Sequence, residues 1–128
     1  MTIPKELKYN ETHEWAKLEP DGAVAVGITH FAQDKLGDMV FVEPPKINSR
    51  VKRGDSCAVL ESVKAASDLY APISGEVVAV NDEVQAAPEK INKDPYGAWL
   101  FKLKPDDAAE LQSLLSAEQY ASLIENEH

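Results

Sequence analysis

Lys64 stands where the sequence predicts the tip of a β-hairpin. The β-rich run 57–63 has the length of one strand, the chain can return through residues 67–70, and turn-forming residues over 71–75 end the return. Arms of about seven residues, at roughly 3.3 Å per residue, would hold Lys64 about 20 Å from the base of the hairpin. A lysine amine in this position is open to an enzyme that modifies it.

The residues around Lys64 favour modification of its amine over an ordinary solvated charge. Carboxylates flank it at Glu61 and Asp68, at distances where a modifying enzyme could recognise them. We therefore single out Lys64 as the site of a covalent attachment and Glu61 as a candidate recognition residue. The other neighbours are small and leave the amine sterically open: Ser62, Ala65, Ala66 and Ser67.

Length and composition fit one globular domain, residues 1–128. Hydrophobic residues make up 44% of the chain, which is typical of a protein with a core. No apolar run approaches the ~20 residues of a membrane span, and the first residues resemble neither a secretory signal nor an Arg-rich presequence. The single cysteine, Cys57, fits a small buried residue in a reducing compartment. Together these features predict a cytoplasmic protein.

The chain is strongly acidic, with a formal net charge of −9. Nucleic acids and anionic membranes are bound by basic patches, so this charge argues against both classes of ligand. It suits a carrier that docks on partner proteins through complementary charge.

Short strands separated by turns account for most of the chain. Such a pattern favours a sandwich or a flattened barrel. Beyond residue 105 the period changes to that of two amphipathic helices, the second opened by a capping box at Ser116 and Gln119. Besides the hairpin, the sequence predicts strands over 12–18, 23–28, 39–43, 76–80 and 99–103, a short helix from Thr29 to Gly37, and one helical turn over 88–92.

No other group of residues predicts a catalytic or metal site. The three histidines, His13, His30 and His128, lie far apart in sequence and lack the spacing of metal ligands. The chain has no phosphate-binding Gly-rich loop and no Gly-x-Ser-x-Gly elbow, and Cys57 has no base near it in sequence. We therefore expect a protein without catalytic residues of its own.

The segment around Lys64 resembles the lipoyl-attachment segment of the H-protein family of the glycine cleavage system. One short stretch would be a weak signal, but several stretches occur in the family's order and cover almost the whole chain. They are His13-Glu14-Trp15, Val26-Gly27-Ile28-Thr29 with Ala32-Gln33, Leu36-Gly37-Asp38, Val40-Phe41-Val42-Glu43, residues 61–68 and 70–77, Ile91-Asn92, and Asp94-Pro95-Tyr96-Gly97 with Trp99.

The resemblance implies a mostly β fold. This is a flattened barrel-sandwich of the lipoyl/biotinyl-carrier type, with short peripheral helices and two C-terminal helices. It also implies lipoate joined covalently to Lys64 by a lipoate ligase or octanoyltransferase, for which acidic residues near the target, such as Glu61, are typical. Glu14 and Asp68 match the acidic positions that the family places in the cleft holding the loaded arm.

The resemblance further implies a shuttle that acts as a monomer and is not itself an enzyme. The carrier would take the aminomethyl group of glycine from a PLP-dependent glycine decarboxylase to a tetrahydrofolate-dependent aminomethyltransferase. Its arm would then pass electrons to dihydrolipoyl dehydrogenase. Three departures from the family pattern do not touch Lys64: His30 replaces a usually acidic residue, Pro44 replaces a common Leu, and the turn over 95–99 is one residue short.

Other carriers also present a lysine on a hairpin. A biotinyl domain places Met on both sides of its lysine, where this chain has Val63 and Ala65. A lipoyl domain of a 2-oxo acid dehydrogenase is shorter, usually reads Asp-Lys-Ala, and lacks the paired C-terminal helices. An H-like protein that relays lipoyl groups to other proteins is not separable by sequence, and glycine decarboxylation with purified partner enzymes would distinguish it.

Overall fold

A computed structural model describes residues 3–127 of the chain. The strands of this part are β1 Lys8–Tyr9, β2 Glu14–Leu18, β3 Val24–Ile28, β4 Met39–Glu43, β5 Arg50–Val51, β6 Ser56–Ser62, β7 Ala66–Tyr70, β8 Gly75–Val80 and β9 Phe101–Pro105. The helices are α1 His30–Leu36, α2 Asp82–Ala86, α3 Lys90–Lys93, a 3₁₀ helix Ala108–Ser113 and α4 Ala117–Glu125. None of the described helices combines the length and the apolarity that a membrane span requires.

The strands form two antiparallel sheets. A six-stranded sheet has the order β1-β2-β3-β9-β8-β5, and a three-stranded sheet has the order β4-β6-β7. The described strands do not close into a complete barrel, because β1 and β5 stay at the edges of the larger sheet. The predicted mostly β, flattened sandwich with peripheral helices is confirmed.

The larger sheet is buried on both of its faces, and β3 shows why. All five residues of β3 are buried, and successive side chains of a strand point to opposite faces. Val24, Val26 and Ile28 join a main cluster that includes Leu60 of the smaller sheet. Ala25 joins a second cluster on the other face, which α4 helps to cover, with Tyr9, Trp15, Phe31, Tyr120 and Ile124.

Two predicted element boundaries were wrong near the N-terminus and at the last strand. β2 begins at Glu14 instead of residue 12, because His13 has a left-handed backbone with φ of 77° that does not continue a strand. The last strand begins at Phe101 instead of residue 99. The segment before it is still attached to the sheet, since the Leu100 N–H donates to the Val26 carbonyl at 2.7 Å.

Two predictions about helices also need correction. Helix α2 follows β8 where only a strand end at residues 81–82 was predicted, and the Asn81 side chain caps it by accepting from the Glu83 N–H. The first C-terminal helix is a 3₁₀ helix. It ends because the chain becomes extended at Leu115, which exchanges two backbone hydrogen bonds with Tyr9, at 2.9 and 2.7 Å. The predicted capping box of α4 at Ser116 and Gln119 is present.

Candidate functional site

Lys64 occupies the predicted tip of the β6–β7 hairpin. The last strand pair is Glu61 with Ala66, and the four residues between them form the turn. The Ser62 N–H donates to the Ala65 carbonyl at 2.8 Å, and the Ser62 hydroxyl accepts from the N–H groups of Lys64 and Ala65 at 3.2 Å. Ser62 therefore fixes the backbone on which the lysine side chain is mounted.

The Lys64 side chain is exposed and extends past Gly37 at the end of α1. A Cβ atom placed on Gly37 would lie 3.3 Å from Lys64 Cε and 3.8 Å from Nζ. Gly37 has φ of 84°, a backbone conformation in which glycine is favoured. None of the ion pairs among the described residues involves Lys64. An exposed amine whose stem passes closely over a residue without a side chain fits an acyl group joined to its nitrogen.

Backbone and amide contacts brace the hairpin tip against the helices. The Val63 N–H donates to the Asp38 carbonyl at 3.0 Å. The Asn92 side chain in α3 donates to the Gly37 carbonyl at 2.9 Å and accepts from the Met39 N–H at 2.9 Å. The sequence assigned no role to Asn92, because nothing in its pattern shows that α3 packs beside the end of α1.

A cavity of about 290 Å³ opens beside α1 and the β7 strand of the hairpin. Leu36 lines it directly before Gly37, so the cavity lies within reach of an arm attached to Lys64. Phe31 gives it an apolar wall, and Lys35 and Glu127 supply opposite charges at its surface. The full lining is Thr12, His13, Phe31, Ala32, Lys35, Leu36, Ser67 and Glu127.

Glu14 is a buried carboxyl group, only 1% exposed, that contacts one residue of the cavity lining, Thr12. It accepts hydrogen bonds from the Asn10 side chain at 3.0 Å, from the Thr12 hydroxyl, and from the Tyr70 N–H at 3.0 Å. Burial raises the pKa of Glu14 to about 7, although its hydrogen bonds lower it. Glu14 is therefore not a solvated surface charge, and its bond to Tyr70 joins β2 of the larger sheet to β7 of the smaller one.

Asp68 lies on the other face of β7. It pairs with Val59 on the outer side of the smaller sheet and is exposed, whereas the adjacent Ser67 lines the cavity. Neither Glu14 nor Asp68 is a lining residue of the cavity, but Thr12 and Ser67, which contact or adjoin them, are. Each carboxylate is thus one step from the cavity lining, Glu14 through its hydrogen bond with Thr12 and Asp68 through the adjacent Ser67.

The other candidate groups have structural contacts. His13 hydrogen-bonds Tyr120 at 2.8 Å and pairs with Glu127 at 3.2 Å, and His30 contacts Gln33 at 3.2 Å. Burial raises the pKa of Cys57 to about 12, so its thiol stays protonated. No group of three His, Cys, Asp or Glu side chains suited to a metal ion occurs within residues 3–127, and His128 lies outside that range.

The shortened turn over residues 95–99 is held by local bonds. The Gly97 N–H donates to the Asp94 carbonyl at 3.1 Å, and a Cβ on Gly97 would collide with the Asp94 carboxylate. The Trp15 indole N–H donates to the Pro95 carbonyl at 3.0 Å. The turn is therefore anchored to the larger sheet, far along the chain from Lys64.

Comparison with known proteins places these features in a family. The family model of the glycine cleavage H-protein matches residues 7–127. The glycine cleavage system H protein of Nitrosomonas eutropha is 60% identical over 127 residues, covering 99% of this chain and 98% of the relative. The corresponding Escherichia coli protein is 57% identical over 126 residues, covering 98% of each.

A solved structure agrees with the sequence comparison. The crystal structure of a glycine cleavage system H protein from Mycobacterium marinum superimposes with a TM-score of 0.87 at 42% identity, covering 98% of this chain and 100% of that one. The match over the full fold, including the C-terminal helices, separates the chain from biotinyl domains and from the shorter lipoyl domains. The chain belongs to the glycine cleavage H-protein family, the non-catalytic lipoyl carriers of the glycine cleavage system.

Proposed function

We propose that Lys64 is the residue through which this chain carries lipoate. The observation that carries the proposal is the exposed amine at a braced hairpin tip, whose stem passes over Gly37. In the attachment step the Lys64 nitrogen attacks an activated lipoyl carboxyl carbon, an amide bond forms, the activating group leaves, and the nitrogen loses its proton. The amide removes the lysine charge, and the bound dithiolane supplies the group-transfer and redox chemistry.

A lipoyl carrier of the glycine cleavage system works between several enzymes. It moves the aminomethyl group of glycine from the PLP-dependent decarboxylase to the aminomethyltransferase, and dihydrolipoyl dehydrogenase reoxidises it. The contribution of the chain is position, because a flexible arm on a braced tip raises the local concentration of the reacting group at each partner site. Ser62, which fixes the turn, and Asn92, which holds the segment that bonds Val63, serve this positioning.

The attachment is tested by intact mass before and after treatment with a lipoate ligase. The parent chain should gain the mass of one lipoyl group, and Lys64→Arg should gain none. Lys52→Arg, at another exposed lysine, is the matched control and should be modified like the parent. A lipoyl group mapped to a lysine other than Lys64 would refute the assignment.

We also propose roles for three carboxylates near the arm. Glu61 is exposed beside the tip and is recognised by the modifying enzyme. Glu14 and Asp68 adjoin residues that line the cavity beside α1 and favour the protonated amine of the loaded arm, because a nearby negative charge raises the pKa of an amine. The support for Glu14 is its hydrogen bond with Thr12, which lines that cavity.

Residues 1–128 are proposed to act as one domain in the cytoplasm. The single domain is supported by β3, whose alternate side chains belong to both hydrophobic clusters. The cytoplasmic location is supported by the bacterial relatives and by Cys57, a free thiol of the kind that reducing compartments retain.

A further inference from the structure

The outward side of the smaller sheet carries a regular pattern of apolar and acidic side chains. Residues directly opposite each other on neighbouring strands project from the same side of a sheet. We call the outer face the surface formed by two rows of residues across β4, β6 and β7. The first row lies next to the lysine tip, and the second lies behind it. The rows are Phe41, Glu61, Ala66 and then Glu43, Val59, Asp68.

A β-bulge in β4 adds apolar surface at the end of this face nearest Lys64. Met39 pairs with Ser62 and Phe41 with Glu61, so one extra residue, Val40, is inserted between the two pairs. Val40 is 55% exposed and Phe41 46%. Val63, directly before Lys64, is 66% exposed. Large apolar side chains thus remain in solvent on β4 and in the turn that carries Lys64.

The carboxylates of the outer face lack basic partners in the described part of the chain. Each strand contributes one: Glu43 from β4, Glu61 from β6 and Asp68 from β7. All three are exposed, and none takes part in an ion pair among residues 3–127. Apolar contacts among charges left unpaired are the pattern of a surface that meets a partner of opposite charge.

We propose that the outer face is the docking surface of the enzyme that acylates Lys64, and that this enzyme presents basic side chains around an apolar contact. The proposal rests on attachment at Lys64 and extends recognition from Glu61 to β4, chiefly to Phe41 and Glu43. The opposite side of the same three strands is closed to a partner, because Val42, Leu60 and Leu69 are buried there in the main cluster.

The short reach of the unmodified lysine side chain favours the acylating enzyme over the other partners as the protein that covers the outer face. The acylating enzyme acts on the bare Lys64 amine, which lies only one side chain from the backbone. Its active site must therefore come close to the tip, and its surface must cover the strands beside the tip. The decarboxylase, the transferase and the dehydrogenase act at the far end of the lipoyl arm, so they have no such need to cover β4.

The test is the steady-state lipoylation of the full-length unmodified chain by a purified lipoate ligase. The double variant Phe41→Ser with Glu43→Gln should lower kcat/KM by about tenfold or more through KM, because loss of a central contact weakens binding by at least that factor. The matched control is Leu18→Ser with Glu125→Gln, an apolar and an acidic residue exposed elsewhere, and it should react like the parent.

The dependence of kcat/KM on ionic strength is a second measurement, and a purely structural role of these residues would not change it. For the parent chain, kcat/KM should fall as ionic strength rises, because screening weakens attraction between an acidic face and a basic partner. Glu43→Gln should weaken the dependence of kcat/KM on ionic strength, and Glu43→Lys should lower kcat/KM below that of Glu43→Gln. Phe41→Leu keeps an apolar side chain, so it should retain much of the kcat/KM that Phe41→Ser loses. Because Glu43 is exposed, its two variants test whether the outer face binds the enzyme even if the Phe41→Ser variant does not fold.

The outcomes separate this proposal from the assignment of Lys64. If Lys64 is lipoylated in the parent and all the variants of the outer face react with the same kcat/KM and salt dependence, the docking surface is overturned and the attachment site stands. If the ligase modifies a different lysine, both proposals fall. A selective rise in KM for the outer-face variants, with kcat retained, supports the docking surface.

Discussion

Glu14 is a carboxyl group that the fold has removed from water between its two sheets. Three donors contact it, from Asn10, Thr12 and Tyr70, yet desolvation outweighs their effect and raises its pKa to about 7. The resemblance placed Glu14 at an acidic position of the H-protein family, but the sequence did not show that this side chain is buried. The missing information is the bond to Tyr70, which lies 56 positions away in sequence.

The raised pKa of Glu14 predicts a pH dependence of stability. The folded chain retains a proton between pH 4.5, the ordinary pKa of a glutamate, and about pH 7, where the unfolded chain has lost it. The contribution of this group to the free energy of unfolding is therefore fully present below 4.5 and is lost as pH rises through 7. The slope reaches at most about 1.4 kcal/mol per pH unit.

Glu14→Gln should remove this component, because the amide does not titrate. In urea unfolding at pH values from 4.5 to 8, the free energy of the parent minus that of the variant should decrease up to about pH 7 and then level off. Glu11→Gln, an exposed neighbour, should leave the pH profile of the parent unchanged. Parallel profiles for parent and Glu14→Gln would show that Glu14 titrates normally.

The proposed protection of the loaded arm by Glu14 and Asp68 gives a second prediction. The chain is loaded by the decarboxylase, the decarboxylase is removed, and ammonia release is followed without the transferase. At a pH above 7, where Glu14 is ionised, Glu14→Gln with Asp68→Asn should release ammonia faster, because the amine loses the negative charge that favours its protonated form. The control pair is Glu11→Gln with Asp34→Asn, both exposed. An unchanged rate in the first pair would mean that these carboxylates do not protect the arm.

Glu61 supplies the third prediction at this scale. Glu61→Ala should slow lipoylation of Lys64 while changing the free energy of unfolding by less than ~0.5 kcal/mol, since the side chain is exposed. Initial rates with a lipoate ligase and urea unfolding measure the two effects. Glu125→Ala, an exposed acidic residue on α4, serves as the control. Equal rates for Glu61→Ala and the parent would remove Glu61 from recognition.

Local patterns predicted most elements, and contacts distant in sequence decided the rest. The hairpin of Lys64 and helix α1 follow from alternation, from the cap at Thr29 and from Gly37, which all act within a few residues. The end of the 3₁₀ helix depends on the pairing of Leu115 with Tyr9, more than a hundred positions apart in sequence. The spacing of apolar residues in the tail gives no information about that distant pairing, so a regular helix was predicted there.

The capping box of α4 provides a prediction for an element. The Ser116 hydroxyl accepts from the Gln119 N–H at 3.2 Å, and the Gln119 side chain accepts from the Ser116 N–H at 2.9 Å. Ser116→Ala should lower the free energy of unfolding by about 1 kcal/mol because the helix loses its cap. Ser122→Ala, at an exposed position inside α4, controls for the loss of a hydroxyl. Equal effects of the two changes would show that the box does not stabilise α4.

At the scale of the molecule, the larger sheet lies between the two hydrophobic clusters and contributes side chains to both. Trp15 lies across Gly27, its partner in β3, so closely that a Cβ on Gly27 would come within 2.5 Å of the indole. The next residues of β3, Val26 and Ile28, pack into the main cluster on the other face. Disturbing either cluster therefore displaces the strand that both clusters share.

This coupling predicts that the chain unfolds in one cooperative transition. Leu60→Ala in the main cluster and Ile124→Ala in the second cluster should each cost about 2–5 kcal/mol, as buried truncations do. Each variant should lower the urea midpoint equally by tryptophan fluorescence and by far-UV circular dichroism, because a two-state transition moves as a unit. Ile47→Ala, at an isoleucine that is 51% exposed, should hardly move it.

Fluorescence reports on Trp15 in the second cluster and on Trp99 packed against it, whereas circular dichroism reports on both sheets, so the two probes can disagree. If Ile124→Ala shifted only the fluorescence transition, the second cluster would unfold separately and the single-domain proposal would be wrong. Coincident transitions carry a consequence for the site. The hairpin of Lys64 would then be held by the stability of the whole chain, because Glu14 links β7 to the same sheet that joins the two clusters.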